Sequence, residues 1–459
     1  MPSPVPESVP QRPSPLLTWT TQIALAATVA AFLFFFVDRI GCLFPKPGVP
    51  YKSAVSGSDN SYYYFWLRAA MVRHDVDFAR DVRECATMPE ALRQTTLALE
   101  RTPRGLLPNK YGVGWAVSSV PWYLLGSGVS RVLGLPLDGY GPAYQAALFL
   151  GQLVYAVASL VLAWRIALRF VPAPYALPGV LLTWLGSFLV YYQASSTTMA
   201  HNIVFFAFAL ATWAAFKVEE EPGRLRFWVL LGIGAGLAVI ARYQAAVLLL
   251  HPAAVAVRMI VRRRAGWLGP GVAVAVAGFF LGLQMAAWKA LYQVWLFYSY
   301  GGETFHWLHA HLWDVLFSPL HGLFYWSPML LLGTAGFLWL AATAEGDSRR
   351  LALRCWLVSG VAMWLVNGAW ECWFFGASFG LRAFDGLVLP MMVGLGFLIR
   401  AAAGSPWPWL RRGLLLLALL LALLNVNLVY LARKDVLSSE RPVTHGEMGS
   451  LLLHFWRGR

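Results

Sequence analysis

The residues best suited to chemistry in this 459-residue chain cluster between long apolar runs. The first cluster reads Ser56-Gly-Ser-Asp59-Asn60-Ser-Tyr-Tyr63-Tyr64-Phe-Trp-Leu-Arg68. Asp59 sits at a helix-start signal, with Ser and Gly before it and a Tyr-rich run after it. That position admits two readings: a carboxylate that takes a proton from an acceptor hydroxyl, or a cap for the helix it begins. The run from Tyr62 to Val72 has aromatic and apolar residues on one face, with Arg68 and Arg73 among the others. It predicts a helix lying in a membrane interface. His74-Asp75-Val-Asp77 and Asp81 follow. Carboxylates at i and i+2 do not share one helical face, so these read as a solvated turn. Pro108-Asn-Lys110-Tyr111-Gly-Val-Gly114 sets a cation and an amide in a Gly-containing turn, suited to an anionic head group or to starting the apolar stretch behind it. Its spacing is neither a Walker A loop nor a dinucleotide fingerprint.

Further along, Gln193-Ala-Ser-Ser-Thr-Thr198-Met-Ala-His201-Asn202 places a histidine at a helix start, where it donates a hydrogen bond to a ligand or satisfies local backbone. His306, His309 and His311 have spacings i, i+3 and i+5 that do not converge on one zinc ion, so an amphipathic interface helix is the better reading. His321 lies in the phrase Phe317-Ser-Pro319-Leu-His321-Gly-Leu-Phe-Tyr-Trp326-Ser-Pro328. The last cluster is Trp370-Glu371-Cys-Trp373-Phe-Phe-Gly376-Ala-Ser378-Phe-Gly380-Leu-Arg382. Here glycines allow close backbone approach, aromatics offer stacking faces for sugar rings, and Arg382 offers a bidentate grip on phosphate. Cys42, Cys85, Cys355 and Cys372 form no CxxC pair, which leaves no zinc-ribbon or thioredoxin-like motif. Cys42 and Cys85 share one outer loop and are a candidate disulfide.

The elements that position these clusters are membrane spans. The chain is 58% hydrophobic and 13% charged, whereas a soluble domain is about half apolar and about one quarter charged. A soluble enzyme, a disordered protein, a coiled coil and a collagen-like fibre are excluded. The apolar runs are about 20 residues long, enough to cross roughly 30 Å of hydrocarbon. The alternating segments of a β-barrel are absent. The fold class is therefore an all-α polytopic membrane protein of about 11 spans (10–13), with a large first periplasmic loop that contains interfacial helices. The spans fall at about 17–37, 142–164, 175–193, 198–216, 227–241, 243–258, 268–290, 326–343, 354–369, 384–402 and 413–431. The net charge of +14 is topological. Arg165 and Arg169, Lys217, Arg258 with Arg262 to Arg264, Arg349 and Arg350, and Arg411 and Arg412 mark the cytoplasmic loops. Nucleic acid is not an expected partner, because no basic patch is interleaved with a stacking platform.

Two stretches test this scheme. The run 227–258 has Arg242 at its middle, and a single crossing would put Arg258–Arg264 outside. Two short helices meeting at Arg242 restore the alternation, with the arginine buried in protein or lining a wet cavity. The run 113–134 would invert every later loop if it crossed, and so reads as an interfacial or re-entrant segment. The first apolar run lacks a basic n-region and a cleavage site, and reads as a retained helix. The expected organisation is a disordered cytoplasmic tail (1–16) and a transmembrane catalytic module (17–402) with periplasmic loops at 38–141 and 291–325. A cytoplasmic loop with the last helix (403–431) and a short periplasmic tail (432–459) complete it. The protein is expected in the cell (inner) membrane, N-terminus cytoplasmic and C-terminus periplasmic. Inside the spans no Asp or Glu lies away from the ends.

Several of these features together resemble the GT-C superfamily of integral-membrane glycosyltransferases, especially its protein O-mannosyltransferase and aminoarabinose-transferase branch. They are an acidic residue soon after the first span, a large first outer loop and a polar start to the fourth span. Gly-Leu-Ala-x-x-x-Arg at Gly236 to Arg242 and the late Trp/Gly/Arg loop complete the set; "LFSPLHGLFYWSP" and "SFGLR" look like bacterial members. The likeness covers roughly 17–402. It implies inverting transfer of a sugar from a polyprenyl-phosphate donor to a lipid, glycan or protein acceptor at the periplasmic face. Asp59 matches the family's acidic base. Asn60 stands where relatives often carry a second acid, which puts acid-pair mechanisms and metal binding in doubt. His201 matches a polar or acidic site, and Arg242 and Arg382 match cations near the donor phosphate. The substrate-binding set is Tyr63, Lys110, Tyr111, His201, Arg242, His321, Ser378 and Arg382, with no cofactor, although a divalent metal stays open. The alternative readings are a transporter or flippase of a lipid-linked substrate, which would call for midplane carboxylates and inverted repeats, and a non-catalytic membrane assembly protein.

Overall fold

A computed structural model describes residues 14–43, 58–85, 88–264 and 266–457, with backbone alone at 39–43 and 58. Most of the expected N-tail, Ser56-Gly57 before Asp59, and the Cys42 side chain of the candidate disulfide lie outside the described residues. The protein is an all-α polytopic membrane protein. After α1 (Pro15–Leu43) come α2 (Ser58–Arg68), α3 (Phe78–Glu84), α4 (Glu90–Leu97) and α5 (Gly114–Val132). The bundle continues through α6 (Pro142–Ala167), α7 (Ala173–Leu185), α8 (His201–Glu220), α9 (Leu225–Ala241), α10 (Leu250–Val261) and α11 (Leu268–Tyr292). The short helices α12 (Leu312–Phe317) and α13 (Leu323–Trp326) lead to α14 (Met329–Thr343), α15 (Asp347–Ala369), α16 (Val388–Ala403), α17 (Pro408–Arg433) and α18 (His445–Trp456). Turns of 3-10 helix, Tyr243–Leu249 and Arg382–Leu387, prolong α10 and α16 at their starts.

Among the described residues, 8 helical stretches are long and apolar enough to cross a membrane, and α7, α9 and α14 are shorter apolar helices. Between them they match every predicted span. The reversal expected at Arg242 is present: α9 ends at Ala241, Arg242 is extended (φ −151°, ψ 120°), and the 3-10 turn starts the return. Arg258 at the end of α10 thereby comes back to Glu219 at the end of α8. The run 113–134, expected to be interfacial or re-entrant, forms one helix: α5 continues unbroken past Pro121 and lies against α6, α9 and α2. The C-terminal tail is more than a tail, since α18 lies on α17. Its start is capped by Thr444, whose hydroxyl accepts from the Glu447 N–H (3.2 Å), and the Trp456 indole donates to Asn427 (3.0 Å).

The first long loop departs most from expectation. Tyr63, Tyr64, Phe65, Trp66 and Leu67 of α2 are all buried, so the Tyr-rich run is a helix enclosed by protein rather than one spread over a lipid interface. Polar ties explain why it goes inside. The Trp66 indole donates to the Tyr111 carbonyl (2.9 Å), and the Asn109 amide donates to the Tyr62 carbonyl (3.0 Å). Asp81 is not part of a solvated turn either. It is buried between Arg68 (2.7 Å) and Arg73 (2.6 Å), because two guanidinium groups brought in by α2 and the turn after it need a carboxylate partner.

The segment 108–114 is the clasp between this loop and the bundle. Its Val113 N–H donates to Gln284 of α11 (2.9 Å), and Asn109 exchanges two hydrogen bonds with the Tyr292 hydroxyl (3.1 Å each). A methyl group at Gly112 would collide with the Ile240 carbonyl, and one at Gly114 with the Ala241 backbone nitrogen. Only glycine lets the clasp lie flat on the last turn of α9.

Candidate active site

A cavity of 1060 Å³ opens at the end of the bundle where α9 stops and α15 ends. Asp59, Tyr63, Lys110, Tyr111, Arg242, Ser378 and Arg382, separated by hundreds of residues in the chain, all line it. The first turn of α2 brings Asp59, the clasp brings Lys110 and Tyr111, and the end of α9 brings Arg242. The loop from Trp370 brings Ser378 and Arg382. Gly380 (φ +60°) lets this loop turn back so that Arg382 points inward.

The carboxylate of Asp59 is held on both oxygens. Tyr111 donates its hydroxyl to Oδ1 (2.5 Å), and Arg382 Nη2 reaches Oδ2 (3.0 Å). Asp59 keeps 20% side-chain exposure and Arg382 12%, so the pair faces the cavity instead of being sealed off. Burial, and then the negative charge of Asp59, push the Tyr111 hydroxyl well above the usual phenol range, so that it stays a donor. Tyr63 packs its ring on Tyr111 (4.9 Å), and burial raises its hydroxyl likewise. Arg382 also donates to the Phe375 carbonyl (2.8 Å). Asp59 is thus within the first turn of α2 but aimed at the cavity.

Lys110 pairs with Glu303 (2.8 Å) and lies over the Tyr300 ring (5.2 Å). Burial works against its charge, but Glu303 outweighs that and lifts the ammonium above its ordinary value. Ser378 Oγ donates to the Gly380 carbonyl (2.9 Å) and accepts from Tyr192 (3.0 Å), whose own oxygen accepts from the Phe379 N–H (3.0 Å). Its hydrogen bonds therefore serve the loop's shape.

Two of the sequence candidates do not reach the cavity surface. His201 is fully buried behind Arg242. Arg242 Nη1 lies over its ring, 2.8 Å from Nε2 and 3.3 Å from Nδ1, and Nδ1 meets Asp385 Oδ2 (2.9 Å). His321 is set apart altogether. It is buried with φ +68° and spends Nδ1 on the Phe374 carbonyl (2.8 Å), so it fastens the late loop and does not line the cavity. Sequence reasoning missed Asp385, Glu303, Tyr192 and Tyr300. For Asp385 a signal existed: it is an acid in the first turn of an apolar run, three residues after Arg382. The others carry no local signature, since their partners come from distant segments. Among the described residues, no three His, Cys, Asp or Glu gather as a metal ion would require.

Two solved structures are similar to the chain over most of its length. One is ArnT from Cupriavidus metallidurans in the apo state, 12% identical with a TM-score of 0.45, covering 96% of this chain and 75% of that one. The other is the archaeal oligosaccharyltransferase AglB from Archaeoglobus fulgidus in complex with an inhibitory peptide and a dolichol-phosphate. It is 14% identical with a TM-score of 0.48, over 93% of this chain and 57% of that one, so the chain spans little more than half of AglB. No family model and no curated protein matches the sequence.

Proposed function

We propose that the protein is a membrane glycosyltransferase that moves a sugar from a polyprenyl-phosphate donor to a lipid, glycan or protein acceptor at the periplasmic face, with inversion. One observation carries the reading: a carboxylate and two guanidinium groups, Asp59, Arg382 and Arg242, converge on one aromatic-walled cavity at the end of a membrane bundle. The resemblance of the sequence motifs to the GT-C superfamily points the same way.

A lipid-anchored donor keeps its chain in the bilayer and offers its sugar and phosphate to such a cavity. The acceptor hydroxyl gives its proton to Asp59 while its oxygen forms a bond to the anomeric carbon. The bond from that carbon to the phosphate oxygen breaks, and its electron pair leaves with the polyprenyl phosphate. Attack on the face opposite the leaving group inverts the centre. Charge grows on the phosphate, where Arg382, Arg242 and Lys110 stabilise it in a partly dry site. In the resting site each oxygen of Asp59 accepts one hydrogen bond, and a second lone pair on each stays available to take the acceptor's proton. Tyr63, Tyr300 and Trp370 supply faces for the sugar ring.

The test is purified protein incubated with a panel of radiolabelled polyprenyl-phosphate sugars, scored for release of polyprenyl phosphate. Release from at least one donor is expected; a folded protein inert toward all of them overturns the reading. Reporter fusions at Arg263 and Glu303 should report the cytoplasm and the outside respectively, and the same side for both breaks the proposed orientation.

A further inference from the structure

The cavity holds a second ion pair besides Asp59 and Arg382. Lys110 and Glu303, 2.8 Å apart, both line it and keep 42% and 24% side-chain exposure. Each is fixed through its own backbone. The Lys110 carbonyl accepts from the Ser299 hydroxyl (2.7 Å), the Glu303 carbonyl accepts from the Tyr298 hydroxyl (3.1 Å), and the Glu303 N–H donates to the Tyr300 carbonyl (3.0 Å). The wall between this pair and Arg242 is aromatic. The Arg242 guanidinium lies over Phe375 (5.9 Å), Phe375 meets Trp370 edge-on (4.9 Å), Trp370 meets Tyr300 in the same way (6.1 Å), and Lys110 lies over Tyr300. The Tyr300 hydroxyl is within electrostatic reach of Arg242, Lys110, Asp59 and Glu303, and burial keeps it protonated, hence a donor.

We infer that Lys110 and Glu303 are specificity-determining contacts that read a hydroxyl on the far edge of the donor's sugar, so that the sugar carried is a neutral, hydroxylated one. This rests on the proposed use of a polyprenyl-phosphate donor. With the phosphate on Arg242 and Arg382, the three rings lay apolar faces along the sugar and leave its far edge at the ion pair. There a donor and an acceptor stand side by side. Lys110 spends one of its three N–H groups on Glu303 and keeps two, and Glu303 Oε1 keeps a lone pair beyond the one that accepts from Lys110. A hydroxyl both accepts and donates, so it satisfies the two partners at once through charge-assisted bonds. An amino group there would set its ammonium against Lys110, and a uronic carboxylate would set its charge against Glu303. Like charges repel most where little water screens them.

Fastening alone does not account for this placement. Ser299 already joins its loop to the Lys110 carbonyl, and Asn109 joins the clasp to Tyr292, all through uncharged groups. Removing Glu303 also has opposite consequences for two ligands. It frees the Lys110 ammonium, which leaves a bare phosphate bound as before or more tightly, whereas a sugar hydroxyl loses its acceptor. A pair that only fastened the loop would weaken both ligands alike.

The experiment uses full-length protein in phosphatidylcholine nanodiscs. Affinity is measured for undecaprenyl phosphate alone and for the same lipid carrying glucose, mannose, galactose, aminoarabinose or glucuronic acid. In the wild type at least one neutral hexose should tighten binding roughly tenfold or more over the bare lipid, the scale of a charge-assisted hydrogen bond, and should outdo both charged sugars. In E303A that gain should vanish, while undecaprenyl phosphate binds as well as before or better and the thermal midpoint stays close to wild type. E303Q, which keeps an acceptor oxygen without its charge, should recover part of the gain. A gain that survives intact in E303A, an equal loss for the bare and the sugar-bearing lipid, or a preference for either charged sugar overturns the inference and leaves the donor reading standing. So does a wild type that binds undecaprenyl phosphate yet gains nothing from any neutral hexose. A folded protein that binds none of these lipids defeats the donor reading itself, and this inference falls with it.

Discussion

The two ends of α8 use the same chemical groups to opposite effect. At its far end a cleft of 410 Å³ holds Arg169, Arg258 and Arg262 beside Glu219, Glu220 and Asp347. Each arginine meets a carboxylate from another part of the bundle: Arg169 with Glu220, Arg258 with Glu219, and Arg262 with Asp347 (3.1 Å). At the near end Arg382, Lys110 and Arg242 stand against Asp59, Glu303 and Asp385, an equal tally of charge. The difference lies in reach. The far pairs bridge helices and close on each other, whereas the near groups surround 1060 Å³ of space, and the ring of His201 stands between Arg242 and Asp385. Counting charges cannot separate a rivet from a reactive group; the intervening space and the intermediate partner can.

The contrast can be broken most decisively at Asp59. Replacing it by asparagine removes the proton acceptor and should lower sugar transfer by about a thousandfold or more, in line with the loss of a general base. Expression and membrane insertion should be normal. Turnover near wild type, measured as release of polyprenyl phosphate, would remove Asp59 from the mechanism. Arg382→Ala comes next: donor use should fall by roughly one to two orders of magnitude, the cost of one lost charge-stabilising donor, with less effect on the melting temperature. An unchanged donor KM and rate would place Arg382 among the rivets.

The far end should answer in the other currency. Arg258→Ala strands Glu219, whose side chain is only 9% exposed, and should cost about 2 kcal/mol of stability. Transfer per folded molecule should be unchanged, so a drop in specific activity would show that the two ends are coupled. The smallest effect belongs to Arg262→Ala. Its pair with Asp347 is 49% and 70% exposed, and such surface pairs contribute about 0 to 1 kcal/mol; a melting shift of more than a few degrees would contradict that.

Why the spans were readable and much of the site was not follows from what each depends on. Crossing a bilayer demands about 20 apolar residues in a row, a local property, and positive loops then set the alternation that resolved the run about Arg242. Asp59 and Arg382 were legible because an acid at a helix start and an arginine ending a Gly-Ser-Gly loop are rare in so apolar a chain. His321 misled because a histidine holding a backbone carbonyl and one facing a ligand look alike until Phe374 is placed beside it. The Tyr-rich run misled for a related reason: its aromatic residues are equally at home at a lipid interface and in a protein interior, and the partners that decide, Tyr111 and Asn109, lie about fifty residues away. Asp385 escaped notice through its position at the edge of a span, where an acid is ordinarily discounted.

Gly112 and Gly114 have no reactive atom, yet they set how closely the strap carrying Tyr111 approaches the helix that ends beside Arg242. Phenol and guanidinium are consequently mounted on one seam, and a single methyl group there would collide with backbone and force the two apart. Substitution along this glycine seam should therefore impair the catalyst without touching its chemistry, because it alters spacing and leaves every polar group intact.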